Sequence, residues 1–187
     1  MLVSGIQKTH LKDIIQLSDQ VFGKDFLDTA YISSHINSSK HMGYVLLSGK
    51  KEVMGYILVD LLSPCELSAT VVNENTWFLN YFKPFNKIAL IKQIVVSPVY
   101  QNKGLGSFLI DHIQNKLSDL ANAYCCIVWK KEGDNSLKYI LLKNKFKPEK
   151  ITKNYWSNDS VDKNYNCAVC GSPPCKCCAE IYTKKGL

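Results

Sequence analysis

Two groups of residues in this chain have the types and spacing to do chemistry. The first is Ile94-Val95-Val96-Ser97-Pro98-Val99-Tyr100-Gln101-Asn102-Lys103-Gly104-Leu105-Gly106. An apolar strand stops, small and polar residues follow, and an amphipathic helix starts at the glycines. The first turn of a helix carries unpaired N–H groups and the positive end of the helix dipole, so it attracts anions. Glycine there permits φ > 0 and lets a diphosphate approach the backbone, and Lys103 adds positive charge beside it. The second group is Cys167, Cys170, Cys175, Cys177 and Cys178, five of the eight cysteines, crowded into twelve residues. A C-x2-C pair lets two thiolates grip one ion. Gly171 eases the turn after the first pair, Cys175 with Cys178 or with Cys177 offers a second, and Pro173 and Pro174 stiffen the link. Four of the five would make a structural zinc site closing a hairpin between two strands, and four thiolates would leave it no catalytic position. A reduced thiol-rich loop, or a disulfide formed on handling, is the alternative.

A glycine loop alone is ambiguous, and two nucleotide motifs fail by position. A Walker loop needs G-x-x-x-x-G-K followed by Ser or Thr, which is missing here, and a dinucleotide fingerprint needs a third glycine where Leu109 stands. A different pattern fits: Gln or Arg, two variable residues, Gly, one variable residue, then Gly or Ala. Gln101-Asn102-Lys103-Gly104-Leu105-Gly106 matches every fixed position, and Ile94-Val95-Val96-Ser97-Pro98 resembles the V-x-P run that precedes it. On these residues the chain resembles the GNAT superfamily of N-acetyltransferases, and its element order resembles that family over most of its length. The resemblance implies acetyl-CoA as co-substrate and a primary amine on a small molecule, peptide or protein as acceptor, with direct transfer of the acetyl group. It also implies site residues. Ile94, Val95 and Val96 would bond the pantetheine arm. Gln101, Asn102, Lys103, Gly104, Leu105, Gly106 and Ser107 would surround the pyrophosphate. Asn135 resembles the asparagine that often touches the cofactor. The strands at 88–96 and 123–129 would splay to admit the thioester.

Acetyl transfer needs a neutral amine, an oriented thioester and a proton for the leaving thiolate. The family often takes its base from a carboxylate on the fourth strand; the corresponding residues here are Lys92-Gln93. It often takes its acid from a tyrosine on the next helix, which counts back from Phe146 to Leu141; Tyr139 is two residues away, roughly 200° around a helix. Tyr139 is therefore the candidate acid only under a shifted register, and otherwise packs or lies at the surface. Glu66, Asp60 or Glu132 could serve as base through water, or the reaction could rest on positioning and solvent. Cys125 and Cys126 are nucleophiles by type, but cysteines in a buried strand are usually inert packing. A chain that keeps the acyl-CoA site and has lost efficient catalysis, acting as a regulatory module, is the rival reading.

These residues need a frame. Apolar spacing predicts a strand at 2–8, a helix from Thr9 through Phe22, a second helix from the cap Asp28 to Ser38, and a hairpin of 43–47 with 52–62 around Ser48-Gly49-Lys50-Lys51. Pro64 ends that hairpin. Trp77, Phe78, Tyr81, Phe82 and Phe85 then suggest a short helix packing an aromatic face in the otherwise hard-to-read stretch 63–87. A buried strand at 88–96, a helix at 104–122, a strand at 123–129, a helix at 134–145 and strands at 151–156 and 179–183 complete the order. The expectation is an α/β (α+β) chain of the GNAT acyl-CoA N-acyltransferase fold. It has one mixed central sheet flanked by helices, in a single domain over 1–187, with a cysteine-rich hairpin insert at 157–179.

Composition narrows the partners. The 46% hydrophobic and 21% charged content is that of a folded globular chain and excludes disorder. The formal charge of +7 suits an anionic partner such as a phosphorylated cofactor, though the dispersed lysines equally describe a solvated surface. An RNA acceptor has no aromatic binding motif behind it. The apolar runs near 56–62 and 123–129 are far short of a membrane span, and no charged leader precedes a long apolar run, so a cytoplasmic protein is expected. Family members often pair through sheet edges, which leaves a homodimer open.

Overall fold

The cross-strand partners of the anion loop come from a sheet that the hydrophobic pattern largely dictates. In chain order the elements are β1 (Leu2–Gly5), α1 (Leu11–Phe22), α2 (Thr29–Ser33), β2 (His41–Leu47), β3 (Val53–Leu62), α3 (Pro64–Thr70), α4 (Asn75–Phe82), β4 (Ile88–Val96), α5 (Leu105–Lys116), β5 (Ala123–Lys130), α6 (Ser136–Lys143), β6 (Lys147–Thr152), α7 (Ser157–Asp162) and β7 (Cys178–Lys185). The structure, a computed structural model, describes residues 1–23, 26–130 and 136–186. The seven strands form one mixed sheet in the order β1-β2-β3-β4-β5-β7-β6, flanked by helices. The chain gathers into two compact units, Met1–Leu61 with Ile91–Leu117, and Leu62–Leu90 with Ser118–Leu187.

In the first unit β1, β2 and β3 form an antiparallel meander. Alternation along the strands puts Val45, Leu47, Tyr56, Leu58 and Val95 on one face, where they pack with Ile6, Ile14, Leu17 and Ile32. Ile14, Ile32 and Leu58 are wholly buried, each burial stabilising by about 1.5–3 kcal/mol. The Asp28 carboxylate caps α2 by accepting from the Tyr31 N–H at 2.6 Å. That helix ends at Ser33, five residues before the expected end at Ser38. Serine and asparagine side chains compete for the backbone there: Ser34 Oγ donates to the Tyr31 carbonyl, Asn37 has φ 56°, and Ser38 Oγ accepts from the His41 N–H. Between β2 and β3 the register shifts at Leu46/Leu47, which sets His41 opposite Asp60.

The second unit has its own core of Leu62, Leu67, Val71, Phe78, Phe82, Ile88, Leu90, Ala123, Cys125 and Ile181. The aromatic stretch folds as the helix α4, with Phe78 and Phe82 fully buried and Trp77 stacked on Tyr81 at 4.8 Å. Pro64 does more than end β3. It opens α3, whose capping box joins Ser63 Oγ to the Glu66 N–H and Glu66 Oε2 to the Ser63 N–H. The helix expected to reach 122 stops at Lys116. Asn122 instead joins strand ends, accepting from Lys87 and Gly186 N–H groups and donating to the Lys87 carbonyl. β7 pairs antiparallel with both β5 and β6, and β6 begins at Lys147 rather than 151. Between β6 and β7 lie the short helix α7, which apolar spacing does not announce, and the cysteine cluster.

Candidate active site

The anion loop is built entirely in the first unit. Ser97 N–H donates to the Met54 carbonyl at 2.9 Å, so at this end of β4 the peptide groups of residues 95 and 97 turn toward β3. By the same alternation those of Ile94 and Val96 point away from β3. The Val95 side chain is buried in the α1 core, while Ile94 and Val96 are half-buried. The Val96 carbonyl is already taken by Gln101 Nε2 at 2.9 Å. Gln101 thus braces the turn from strand to helix, and its own N–H donates to the Pro98 carbonyl at 3.3 Å.

The turn itself is tight. Asn102 has φ 59° and Gly104 φ 77°, and Gly104 is the N-cap of α5 with ψ 4°. Glycine takes this left-handed conformation without a Cβ clash. A Cβ added at Gly104 would meet no protein atom within 4 Å, so the approach to this residue is open. The first helical bond runs from the Phe108 N–H to the Gly104 carbonyl. The N–H groups of Leu105 and Gly106 precede it and sit at the positive end of the helix dipole. Lys103 folds back over the loop, its Nζ 3.3 Å from the Val99 carbonyl and 5.4 Å from the centre of the Tyr100 ring. Ser107 is buried in the first turn of α5. Backbone N–H groups and one nearby ammonium give this turn the chemistry to hold an anion.

The catalytic candidates fare unequally. Tyr139 lies on α6 and is 67% exposed, whereas Leu141 is fully buried. Glu66 serves the α3 cap. Asn135 and Glu132 lie outside the described residues. Cys125 and Cys126 are buried, and desolvation pushes Cys125 well above an ordinary thiol and Cys126 up to about 12, so neither is an activated nucleophile. Tyr56 Oη donates to Gln93 Oε1 at 2.9 Å, fixing the amide next to Lys92.

Asp60 is different. Its carboxylate is 7% exposed and accepts from His41 Nδ1 at 2.8 Å, with His35 Nε2 at 3.5 Å. Burial pushes this carboxyl up, but the adjacent His35 ring, the hydrogen bond from His41 and the charge of Lys92 outweigh it and hold it below its ordinary range. Because a carboxylate only accepts, His41 carries its proton on Nδ1, and Nε2 is the nitrogen left to take another. The His41 side chain is 38% exposed. Asp60 is thus within electrostatic reach of Lys92, one of the two β4 residues found where the resemblance expects a carboxylate. Neither histidine stands out in the sequence, because nothing local to 35 or 41 points to Asp60. Of the five clustered cysteines, the structure brings Cys167, Cys170, Cys175 and Cys177 together and leaves Cys178 in β7.

The family model described as "Acetyltransferase (GNAT) family" matches residues 11–138. The chain belongs to the GNAT family. As a member it is an acetyl-CoA-dependent acyltransferase. No curated protein sequence matches the chain closely. Among solved structures, Arabidopsis thaliana NAA60 in complex with acetyl-CoA superposes with a TM-score of 0.71 at 11% identity, covering 98% of this chain and 97% of that one. The ribosomal-protein-S18-alanine N-acetyltransferase from Escherichia coli superposes with a TM-score of 0.65 at 15% identity, covering 99% and 93%. At such identities the GNAT fold is what these structures share with the chain. Among its described residues, no helix is long and apolar enough to cross a membrane.

Proposed function

We propose that this GNAT chain transfers acetyl from acetyl-CoA directly to a primary amine of a peptide or protein. The observation that carries the reading is the open Gly104 N-cap at φ 77°, at the end of the turn that leads from β4 into α5, with the N–H groups of Leu105 and Gly106 behind it. The diphosphate would rest on these groups, with Asn102, Lys103 and Ser107 around it. Gln101 holds the turn, and Ile94 and Val96 meet the pantetheine arm. A peptide-chain amine is supported by relatives of the same fold, one named for acetylating an alanine of a ribosomal protein. Arabidopsis NAA60 was also solved with a bisubstrate analogue.

The amine nitrogen attacks the thioester carbonyl carbon, the C–N bond forms, and the C–S bond breaks to give amide and CoA thiolate. For the proton lost by the ammonium we propose His41 Nε2 as acceptor, directly or through one water. Asp60 would fix the Nδ1–H tautomer and stabilise the imidazolium formed. The thiolate is a good leaving group and takes its proton from water. Free thiols throughout suit a reducing compartment such as the cytoplasm.

CoA release measured against amines, polyamines and peptides tests the reading. Turnover on peptides well above acetyl-CoA hydrolysis supports it. Tight CoA binding with no turnover on any acceptor gives the regulatory module instead, and absence of CoA binding overturns both.

A further inference from the structure

The sulfurs of Cys167, Cys170, Cys175 and Cys177 all lie within 4.8 Å of one another, with Cys170 to Cys177 at 3.2 Å, Cys167 to Cys177 at 3.6 Å and Cys170 to Cys175 at 3.9 Å. None is bonded to another: a disulfide needs about 2.05 Å, and all eight cysteines are free thiols. Four thiolates around one zinc at about 2.3 Å place their sulfurs about 3.8 Å apart in a tetrahedron. The cluster is already near that size.

The backbone is arranged for thiolates as well. Val169 and Cys170 N–H groups donate to Cys167 Sγ at 3.4 Å each, and the Lys176 N–H donates to Cys170 Sγ at 3.3 Å. Such N–H donors stabilise negative sulfur. The turn that produces them closes through reciprocal Cys167–Gly171 backbone bonds of 2.8 and 2.9 Å, with Gly171 at φ 76°. The second pair is held independently: Cys175 N–H donates to the buried Ser160 Oγ at 2.8 Å, and the Cys177 carbonyl accepts from Tyr155 N–H at 3.1 Å. Cys178 is the next residue, yet it opens β7, paired with Lys130, outside the sulfur cluster.

We propose that Cys167, Cys170, Cys175 and Cys177 bind one zinc ion as a closed structural site. It would staple the β6–β7 connection, 25 residues from 153 to 177 in which the short helix α7 is the one helix or strand. Tetrahedral S4 also suits a single iron, and the test separates the two.

The full-length protein, purified under reducing conditions without added chelator, is analysed for bound metal and free thiols. About one equivalent of zinc in colourless protein is the expected result. Cys170→Ser should lose it and Cys178→Ser should keep it. The cobalt-substituted protein should show the absorption of tetrahedral thiolate coordination. Stripping the zinc should lower Tm, and re-adding it should restore Tm. If Cys170→Ser fails to fold, the wild-type stoichiometry, the cobalt spectrum and Cys178→Ser still decide. Less than half an equivalent of zinc, a coloured iron protein, disulfides among these cysteines, or loss of metal in Cys178→Ser would each overturn the proposal.

Discussion

Gly104→Ala separates the folding role of the anion loop from its binding role. At φ 77° an alanine carries the left-handed penalty of about 1–2 kcal/mol. For a chain of 187 residues that is a Tm loss of roughly 2–8 °C. Within the protein nothing else should change, because the new Cβ meets no atom within 4 Å. If a diphosphate rests against this residue, the Cβ enters the ligand's space and weakens a charge-assisted bond to backbone N–H. Such bonds contribute about 1.5–3 kcal/mol, so the Kd for CoA should rise roughly ten- to hundredfold. Gly104→Asn is the partner experiment. Asparagine tolerates the left-handed region, so Tm should recover toward wild type while affinity stays poor. Thermal unfolding and calorimetric titration with CoA read the two effects separately. A Tm that falls as expected with a Kd within twofold of wild type would falsify the placement of the diphosphate at Gly104.

Further expectations concern proton movement and stability. His41→Gln should lower kcat about a hundredfold or more while leaving KM for acetyl-CoA unchanged; an unaltered kcat would exclude His41 as base. The Asp60 carboxyl lies below its ordinary value of 3.8 in the folded chain, so its stabilisation is complete above that value and is lost as pH falls through the lowered one. Asp60→Asn should therefore flatten the drop in Tm between neutral pH and pH below 3.8, and a drop as steep as wild type would show that Asp60 does not carry it. Tyr139→Phe should leave both Tm and kcat unchanged, since the side chain is 67% exposed and the thiolate takes its proton from water. A fall in kcat of roughly tenfold or more would return Tyr139 to the mechanism as the acid.

The strand-to-helix glycine turn, the hairpin frame and the aromatic helix were legible in the sequence because their signals are local. Glycine spacing, alternation and aromatic clustering act over a few residues, and the surrounding sheet only places them. The same holds for the cysteine pairs, whose spacing announces a metal-sized cluster. Which four sulfurs converge was not legible. Cys178 continues the C-x2-C spacing from Cys175, but β-pairing with Lys130 draws it into β7. Side-chain competition at 33–38, the bracing of the turn by Gln101 and the capping box of Ser63 and Glu66 around Pro64 also depend on partners that spacing does not name. The Asp60–His41 pair shows the limit most clearly. Counting outward from the turn with an unbroken register does not bring these residues together. The one-residue shift at Leu46/Leu47 does, because a bulge changes every pairing beyond it. Sequence alone determined that a glycine turn opens a helix after a buried strand, because that signal is local, and the tertiary structure decided that His41 stands against Asp60, because strand register is not.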